Sequence, residues 1–143
     1  LKSRIEKAIK DGAEVLYGNE INGALMSPTI LDMVDSGMEI AVKESFGPVV
    51  SIMRVKDLNE IKNYFKRDNF GLAASVATQS KEKAYDIFNS SLVGQFSWNG
   101  TPGYRTEEAP FGGFKDSGNG EKEGVIMMTR AMRRIKTFYN HNN

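Results

Sequence analysis

Apolar, strand-like runs alternate with amphipathic helical patterns between residues 48 and 98, and this alternation restricts the fold more than any other feature. Strands are predicted at 48–55, 72–78 and 92–98. The first of them, PVVSIMRV, is so continuously apolar that we expect burial on both faces. A helical pattern separates each strand from the next. Elements in this order indicate βαβ units, so we predict an α/β fold with a largely parallel sheet flanked by helices.

Both intervening helices carry start signals. Asp57, with Glu60 three residues later, resembles a capping box for the first helix, and Ser80 is the predicted N-cap of the second. Each helix has an apolar stripe that can cover a sheet. The predicted inward-facing residues are Leu58, Ile61, Phe65, Ala84, Ile87 and Phe88.

Further elements are predicted on either side of this stretch. An apolar stripe over residues 1–9 predicts a helix that ends at a glycine cap, Gly12. The chain begins with Leu1 inside this helical pattern, so we expect it to be part of a longer polypeptide. Short strands, a late helix and a last strand are predicted at 13–17, 26–31, about 122–132 and 135–139.

The composition excludes several classes of function. With 143 residues the chain has the length of about one domain, and a net charge of +1 gives no attraction to nucleic acid or an anionic membrane. There is no apolar run of about eighteen residues and no opening signal-peptide pattern. The absence of cysteine excludes a cysteine nucleophile within these residues. A cytoplasmic protein with no nucleic-acid or membrane partner is expected.

Few residues offer themselves for metal binding or catalysis. Asp32 and Asp35 come nearest to a metal cluster, but a solvated turn explains them better, so no metal site is predicted. The one histidine, His141, lies three residues from the end, where a frayed terminus is the simpler explanation. No catalytic residue is predicted within the chain.

The segment APFGGFKDSGNGEKEG (109–124) holds five glycines and poses a question of its own. A phosphate-binding Walker loop needs a lysine directly after the second glycine of GxxxxG, and here Asn119 follows Gly113 and Gly118. A dinucleotide fingerprint needs GxGxxG after a strand, and the chain has GxGxxxG after a segment unlike a strand. A phosphate cradle is therefore disfavoured.

A second segment, KESFGPVV (43–50), joins a carboxylate, a phenyl ring and Gly-Pro at the start of the most apolar predicted strand. Ligands of open α/β sheets bind near such strand ends. A plain turn into a strand is the alternative.

Together the two segments resemble the NAD(P)-dependent aldehyde dehydrogenase superfamily. ESFGPV (44–49) is similar to the family's E-x-F-G-P-V element, and PFGGFKDSGNGEKEG (110–124) to its P-F-G-G-x-K-x-S-G-x-G segment. The likeness extends over essentially the whole chain, which would be the C-terminal part of the catalytic domain. Glu121-Lys122 departs from the Arg-Glu of many members. TPGYRTEEAPFGG (101–113) looks most like the phosphonoacetaldehyde and semialdehyde dehydrogenase branch.

The resemblance implies oxidation of an aldehyde to a carboxylic acid, with NAD or NADP accepting a hydride from a thiolate adduct. The cysteine, the water-activating glutamate and the cofactor domain would lie outside these residues, so the chain should be inactive alone. Residues 1–133 would be a partial catalytic domain. Residues 134–143 would be a terminal strand and tail that pairs subunits of a homo-oligomer. A non-catalytic interaction module and one chain of a split enzyme remain alternatives.

The resemblance also implies roles for single residues. Glu44 would accept hydrogen bonds from the nicotinamide ribose, Phe46 would lie against that ribose, and Gly47-Pro48 would fix the turn that places both. Phe111 would line the substrate tunnel, with Gly112 and Gly113 allowing a close approach of the loop to the site. Asn99 would be near the floor of the site.

Arg105 lies six residues before Phe111 in the same loop. A guanidinium matches a carboxylate or a phosphonate, so Arg105 is a candidate to bind an anionic tail of the substrate. A surface pair with Glu107 or Glu108 is the alternative.

Overall fold

The computed structural model describes residues 1–121 and 123–142. The chain divides into two compact units, Leu1–Asp68 and Asn69–Asn143. The boundary that we expected at 133/134 is not tested by this division and stays a prediction. None of the helices in the described residues has the length and apolar character that crossing a bilayer requires.

The first unit combines three helices with a three-stranded sheet and a small hairpin. The elements are α1 Lys2–Lys10, β1 Glu14–Tyr17, β2 Ile21–Asn22, β3 Leu25–Met26, β4 Thr29–Asp32, α2 Glu39–Val42, β5 Val49–Ser51 and α3 Leu58–Arg67. In the sheet β4 is central, antiparallel to β1 and parallel to β5, while β2 and β3 form the hairpin.

Helix α1 packs its predicted stripe into the core of this unit. Ile5 and Ala8 are buried beside Leu31 of β4. The helix ends in a Schellman motif, because the amide of Gly12 bonds the Ile9 carbonyl and that of Ala13 bonds the Ala8 carbonyl. Gly12 has φ +111°, a conformation that favours glycine. The helix and its glycine cap are thus confirmed.

The second unit holds a βαβ motif beside a short antiparallel sheet. The elements are β6 Phe70–Gly71, β7 Ala73–Val76, α4 Lys81–Ser90, β8 Gln95–Trp98, β9 Gly112–Lys115, β10 Gly120–Glu121 and α5 Val125–Ala131. Strands β7 and β8 pair in parallel across α4, and β9 lies between β6 and β10. Ser80 caps α4 by accepting a bond from the Lys83 amide, as expected.

Several predictions about these elements need correction. Parallel pairing is confirmed for β4–β5 and β7–β8, but the other four strand pairs in the described residues are antiparallel, so the pairing is mixed rather than largely parallel. For three of these pairs the reason is that no helix lies between the paired strands: β1 leads to β4 through the β2–β3 hairpin, and β2–β3 and β9–β10 are hairpins themselves. The predicted strand 48–55 shortens to β5 at the margin of its sheet, and Val50 there is 61% exposed.

Three further predictions also change. Phe88 is 47% exposed rather than inward, although Ala84 and Ile87 are buried. The last helix begins at Val125, because Gly124 has φ +91°, which a helix cannot use; Lys122 lies outside the described residues. Residues 135–139 form no strand in the described chain, since no strand lies beside them, and Ile135 is 97% exposed.

Candidate functional site

The ESFGPV element forms the loop between α2 and β5, which we call the 43–48 loop. Glu44 is exposed, and no described residue pairs with its carboxylate; Phe46 is 90% exposed. The loop ends where the Thr29 amide, at the start of β4, donates to the Pro48 carbonyl (2.8 Å). Two groups that can bind a ligand thus stand open to solvent on a backbone tied to the sheet.

Helix α1 supports this loop from one side. The Arg4 Nη1 donates to the Glu44 carbonyl and to the Ser45 Oγ, both at 2.9 Å. A Cβ on Gly47 would overlap the Leu1 side chain, so glycine allows the close approach. The loop is therefore fixed at two points by residues one helical turn apart.

Charge around the base of the loop is balanced by Glu39 of α2. Its Oε1 lies 3.3 Å from the Lys43 Nζ and 3.5 Å from the Arg4 Nη2. A hydrogen bond from Lys43, followed by attraction to Lys43 and Arg4, lowers the pKa of the Glu39 carboxyl. Arg4 pairs with Glu39 and donates to backbone carbonyls of the loop, so it does not bind the Glu44 carboxylate. Among the described residues, that carboxylate has no partner.

The glycine-rich segment of the second unit forms the β9–β10 hairpin and packs closely against its neighbours. A Cβ on Gly113 would come within 2.6 Å of the Ser117 carbonyl oxygen, and one on Gly94 would overlap the Gly112 carbonyl. A Cβ on Gly118 would lie 3.0 Å from the Gly113 backbone. The motif's glycines thus permit backbone-to-backbone contact within this unit; the expected close approach of the loop to an active site stays a prediction.

Arg105 and Phe111 meet directly. The guanidinium carbon lies 4.0 Å from the centroid of the Phe111 ring, a cation–π geometry. Arg105 also forms an ion pair with Glu123, just before α5. The ion pair that the structure shows is therefore with Glu123 and not, as in the alternative, with Glu107 or Glu108. Arg105 and Glu123 line part of an open cavity of about 350 Å³.

Asn99 has a structural role at the end of β8. Its φ is +53°, and its side-chain amide both accepts from the Thr78 amide and donates to the Thr78 carbonyl, each at 2.9 Å. The indole Nε1 of Trp98 donates to the same carbonyl at 2.8 Å. The amide of Asn99 thus holds the turn after β7, and its proposed place near a site floor remains a prediction.

Asp32 corrects another expectation. It is 3% exposed rather than part of a solvated turn. Arg54 donates its Nε to both carboxylate oxygens, at 3.0 and 3.1 Å, and the Met33 amide donates to Oδ1. The Arg54 hydrogen bond first, then the Met33 bond, lowers the pKa of the Asp32 carboxyl. Asp35 is exposed and accepts from the Gly37 amide, as a turn residue would.

The structure brings the predicted residues together in two groups. Glu44, Phe46 and Gly47-Pro48 share one loop of the first unit, and Arg105 contacts Phe111 beside Gly112 and Gly113 in the second. Sequence reasoning missed Arg4, Arg54 and Glu123. All three act through partners distant in sequence, and no spacing pattern marks such pairs.

Comparison with known proteins gives a consistent answer. Residues 1–138 match the model of the aldehyde dehydrogenase family. The sulfoacetaldehyde dehydrogenase of Neptuniibacter caesariensis is 39% identical over 137 residues, which cover 96% of this chain and 30% of that protein. The chain thus spans about a third or less of the curated relatives it matches.

Solved structures agree. A salicylaldehyde dehydrogenase from Pseudomonas putida G7, complexed with salicylaldehyde, superposes with a TM-score of 0.83 at 31% identity, covering 90% of this chain and 26% of that one. An NADP-dependent glyceraldehyde-3-phosphate dehydrogenase from Bacillus halodurans C-125, complexed with NADP, gives 0.81 at 38% identity, with 85% and 26% covered. The chain belongs to the aldehyde dehydrogenase family.

Proposed function

We propose that this chain is the C-terminal part of an NAD(P)-dependent aldehyde dehydrogenase, which oxidises an aldehyde to a carboxylic acid. The observation that carries the proposal is the 43–48 loop, where the open Glu44 carboxylate and the 90% exposed Phe46 ring stand together on a fixed backbone. Binding residues are disproportionately found on loops that a rigid scaffold positions, as this loop is.

The groups present fit the nicotinamide ribose. One carboxylate can accept hydrogen bonds from both vicinal hydroxyls, and a phenyl ring gives a flat, rigid apolar wall beside the sugar. When bound, NAD or NADP would supply the hydride acceptor. Glu44 and Phe46 would restrict the position of the ribose, which is a contribution to orientation rather than to bond breaking.

Groups suited to the substrate lie in the second unit. Phe111 would wall the path of the aldehyde, and Arg105 would bind a negatively charged tail of the substrate. Two relatives are named for anionic aldehydes, sulfoacetaldehyde and glyceraldehyde 3-phosphate, which supports this preference. Because Arg105 is paired with Glu123, the anion would have to displace the Glu123 carboxylate or share the Arg105 guanidinium with it. We keep the phosphonoacetaldehyde and semialdehyde dehydrogenase branch as a proposal on the same ground.

The chain has no cysteine, so it supplies binding groups and not a thiolate. We therefore expect no aldehyde oxidation by these 143 residues alone, whether the remaining groups come from the same polypeptide or from a second chain. A second role is favoured by the exposed Ile135 and Phe138, which are suited to pairing with another copy in a homo-oligomer.

The test uses the complete polypeptide that contains this chain. Formation of NADH or NADPH is measured over a panel of aldehydes with the wild type, with Glu44→Gln, and with Glu6→Gln as a matched exposed carboxylate on α1. Glu44→Gln should raise the KM for cofactor or slow hydride transfer, by an amount that corresponds to about 1–2 kcal/mol for each hydrogen bond lost. The kinetic constants of Glu6→Gln should stay at wild-type values. No turnover by the wild type, or turnover by the isolated chain above a heat-killed control, would contradict the proposal.

A further inference from the structure

The 43–48 loop owes its position to a residue outside the recognised motif. Arg4 lies on the first turn of α1, some forty residues earlier in the chain, and its Nη1 reaches the Glu44 carbonyl and the Ser45 Oγ at 2.9 Å. The same nitrogen lies 3.5 Å from the Lys43 carbonyl. One guanidinium therefore faces acceptors from three successive loop residues.

The base from which Arg4 acts is rigid. Ile5 and Ala8 of the same helix are buried in the core of the first unit, and the helix end is fixed by its Schellman motif. Arginine suits this role, because its planar fork presents several donors in a fixed geometry. Lysine, with one ammonium, cannot hold the carbonyl, the hydroxyl and Glu39 in the same way.

The contacts of Arg4 leave the loop's binding groups free. Its charge is balanced by Glu39, 3.5 Å from Nη2, and its loop acceptors are two carbonyls and a hydroxyl. The Glu44 carboxylate is not used, and the Phe46 ring stands in solvent. A residue that grips the backbone and leaves the carboxylate open is suited to preorganise that carboxylate for a ligand.

From this arrangement we infer that Arg4 is a positioning residue for the cofactor. Its guanidinium holds the backbone at Glu44 and Ser45 so that the Glu44 carboxylate and the Phe46 ring meet the nicotinamide ribose without further ordering. This inference rests on the proposed function of the loop. Arg4 itself touches neither cofactor nor substrate, and its effect passes through the 43–48 loop.

The test compares Arg4→Met with Lys7→Met in the complete enzyme. Both changes remove one cation from α1, but Lys7 pairs with Asp11 at the C-cap of the helix and makes no hydrogen bond or ion pair with the 43–48 loop in the described chain. Without cofactor, hydrogen–deuterium exchange of a peptide covering residues 43–50 should be faster in Arg4→Met and unchanged in Lys7→Met. Unchanged exchange in Arg4→Met would overturn the inference.

Binding provides the second measurement. Arg4→Met should raise the Kd for NAD or NADP at least about threefold, Arg4→Lys should fall between it and the wild type, and Lys7→Met should match the wild type. The KM for aldehyde should change little. A looser loop with an unaltered cofactor Kd would overturn the positioning role and leave the proposed function intact.

A double-mutant cycle separates this role from a general loss of structure. If Arg4 acts through Glu44, adding Arg4→Met to Glu44→Gln should weaken cofactor binding much less than Arg4→Met does alone. Fully additive effects would contradict the inference. A wild type that binds neither NAD nor NADP would instead contradict the proposed function, and with it this role.

Discussion

At the scale of single residues, the Arg105 guanidinium contacts both the Phe111 ring and the Glu123 carboxylate. If it binds the anionic tail of a substrate, Arg105→Ala in the complete enzyme should raise the KM for aldehydes that carry a carboxylate, phosphonate or sulfonate. Neutral aldehydes of similar length should be nearly unaffected, because they make no use of the charge. Steady-state kinetics with paired substrates measure the difference, and Arg67→Ala, at the exposed end of α3, is the control.

An equal loss on charged and neutral aldehydes would point to a different role. Arg105 also stacks on Phe111 and pairs with Glu123, so its removal could loosen the loop as a whole. In that case the anion-binding assignment would be wrong.

The buried Asp32 carboxylate predicts a dependence of stability on pH. Its pKa is lowered in the folded chain, so its ion pair with Arg54 stabilises the fold above the unfolded-state pKa, about 3.9. That contribution is lost as the pH falls through the lower, folded-state pKa. The Tm difference between wild type and Asp32→Asn should therefore be largest near neutral pH and shrink below about pH 4.

Circular dichroism at several pH values measures these Tm differences. Asp35→Asn is the matched control, because Asp35 is exposed and makes no ion pair with a described residue. A Tm difference for Asp32→Asn that stays constant from neutral to acid pH would contradict the assignment.

At the scale of elements, the β9–β10 hairpin depends on glycines that face backbone. In Gly94→Ala the new methyl would overlap the Gly112 carbonyl, so β9 or the chain before β8 must shift. We expect a loss of about 1–3 kcal/mol in the free energy of unfolding. Gly103→Ala is the control: nothing lies within 4 Å of its Cβ position, so the change should be within about 0.5 kcal/mol.

Urea unfolding of the three chains measures the comparison. Equal stability of Gly94→Ala and Gly103→Ala would show that the close approach has no energetic importance.

Elements with local signals could be predicted from the sequence. The spacing of apolar residues and the capping residues predict helices α1, α3 and α4. The Asp57 side chain does accept a hydrogen bond from the Glu60 amide. In the described chain Glu60 reaches the Lys56 amide instead of that of Asp57. The length of β5 was overestimated, because an apolar run does not reveal which of its residues will pair with a neighbouring strand.

The candidate site divides in the same way. The ESFGPV and PFGG motifs could be found because each is contiguous. Arg4 could not, since it reads as one more charged residue on the solvent side of a helix and its loop partners lie forty residues on. Glu123 and Arg54 were missed for the same reason.

At the scale of the whole molecule, the exposed C-terminal segment predicts assembly. Ile135 and Phe138 are almost fully exposed, and residues 135–139 have no strand beside them in the described chain. If the segment pairs with a strand of a second copy, deleting residues 134–143 from the complete enzyme should lower its oligomeric state. Size-exclusion chromatography with light scattering gives the mass.

The matched control is Ile135→Val with Phe138→Tyr, which keeps the segment and its capacity for strand pairing. An unchanged mass after the deletion would contradict assembly through this segment.

Trp98, whose indole donates a hydrogen bond to the Thr78 carbonyl, is an intrinsic fluorescent probe. Trp98 is the single tryptophan, and it lies in the second unit, so the emission of the chain at long wavelength reports on that unit alone. The first unit contributes only tyrosine and phenylalanine signals to the spectrum. A tryptophan placed at Phe46 would add a second reporter at the 43–48 loop, where quenching by an added nicotinamide could be followed directly.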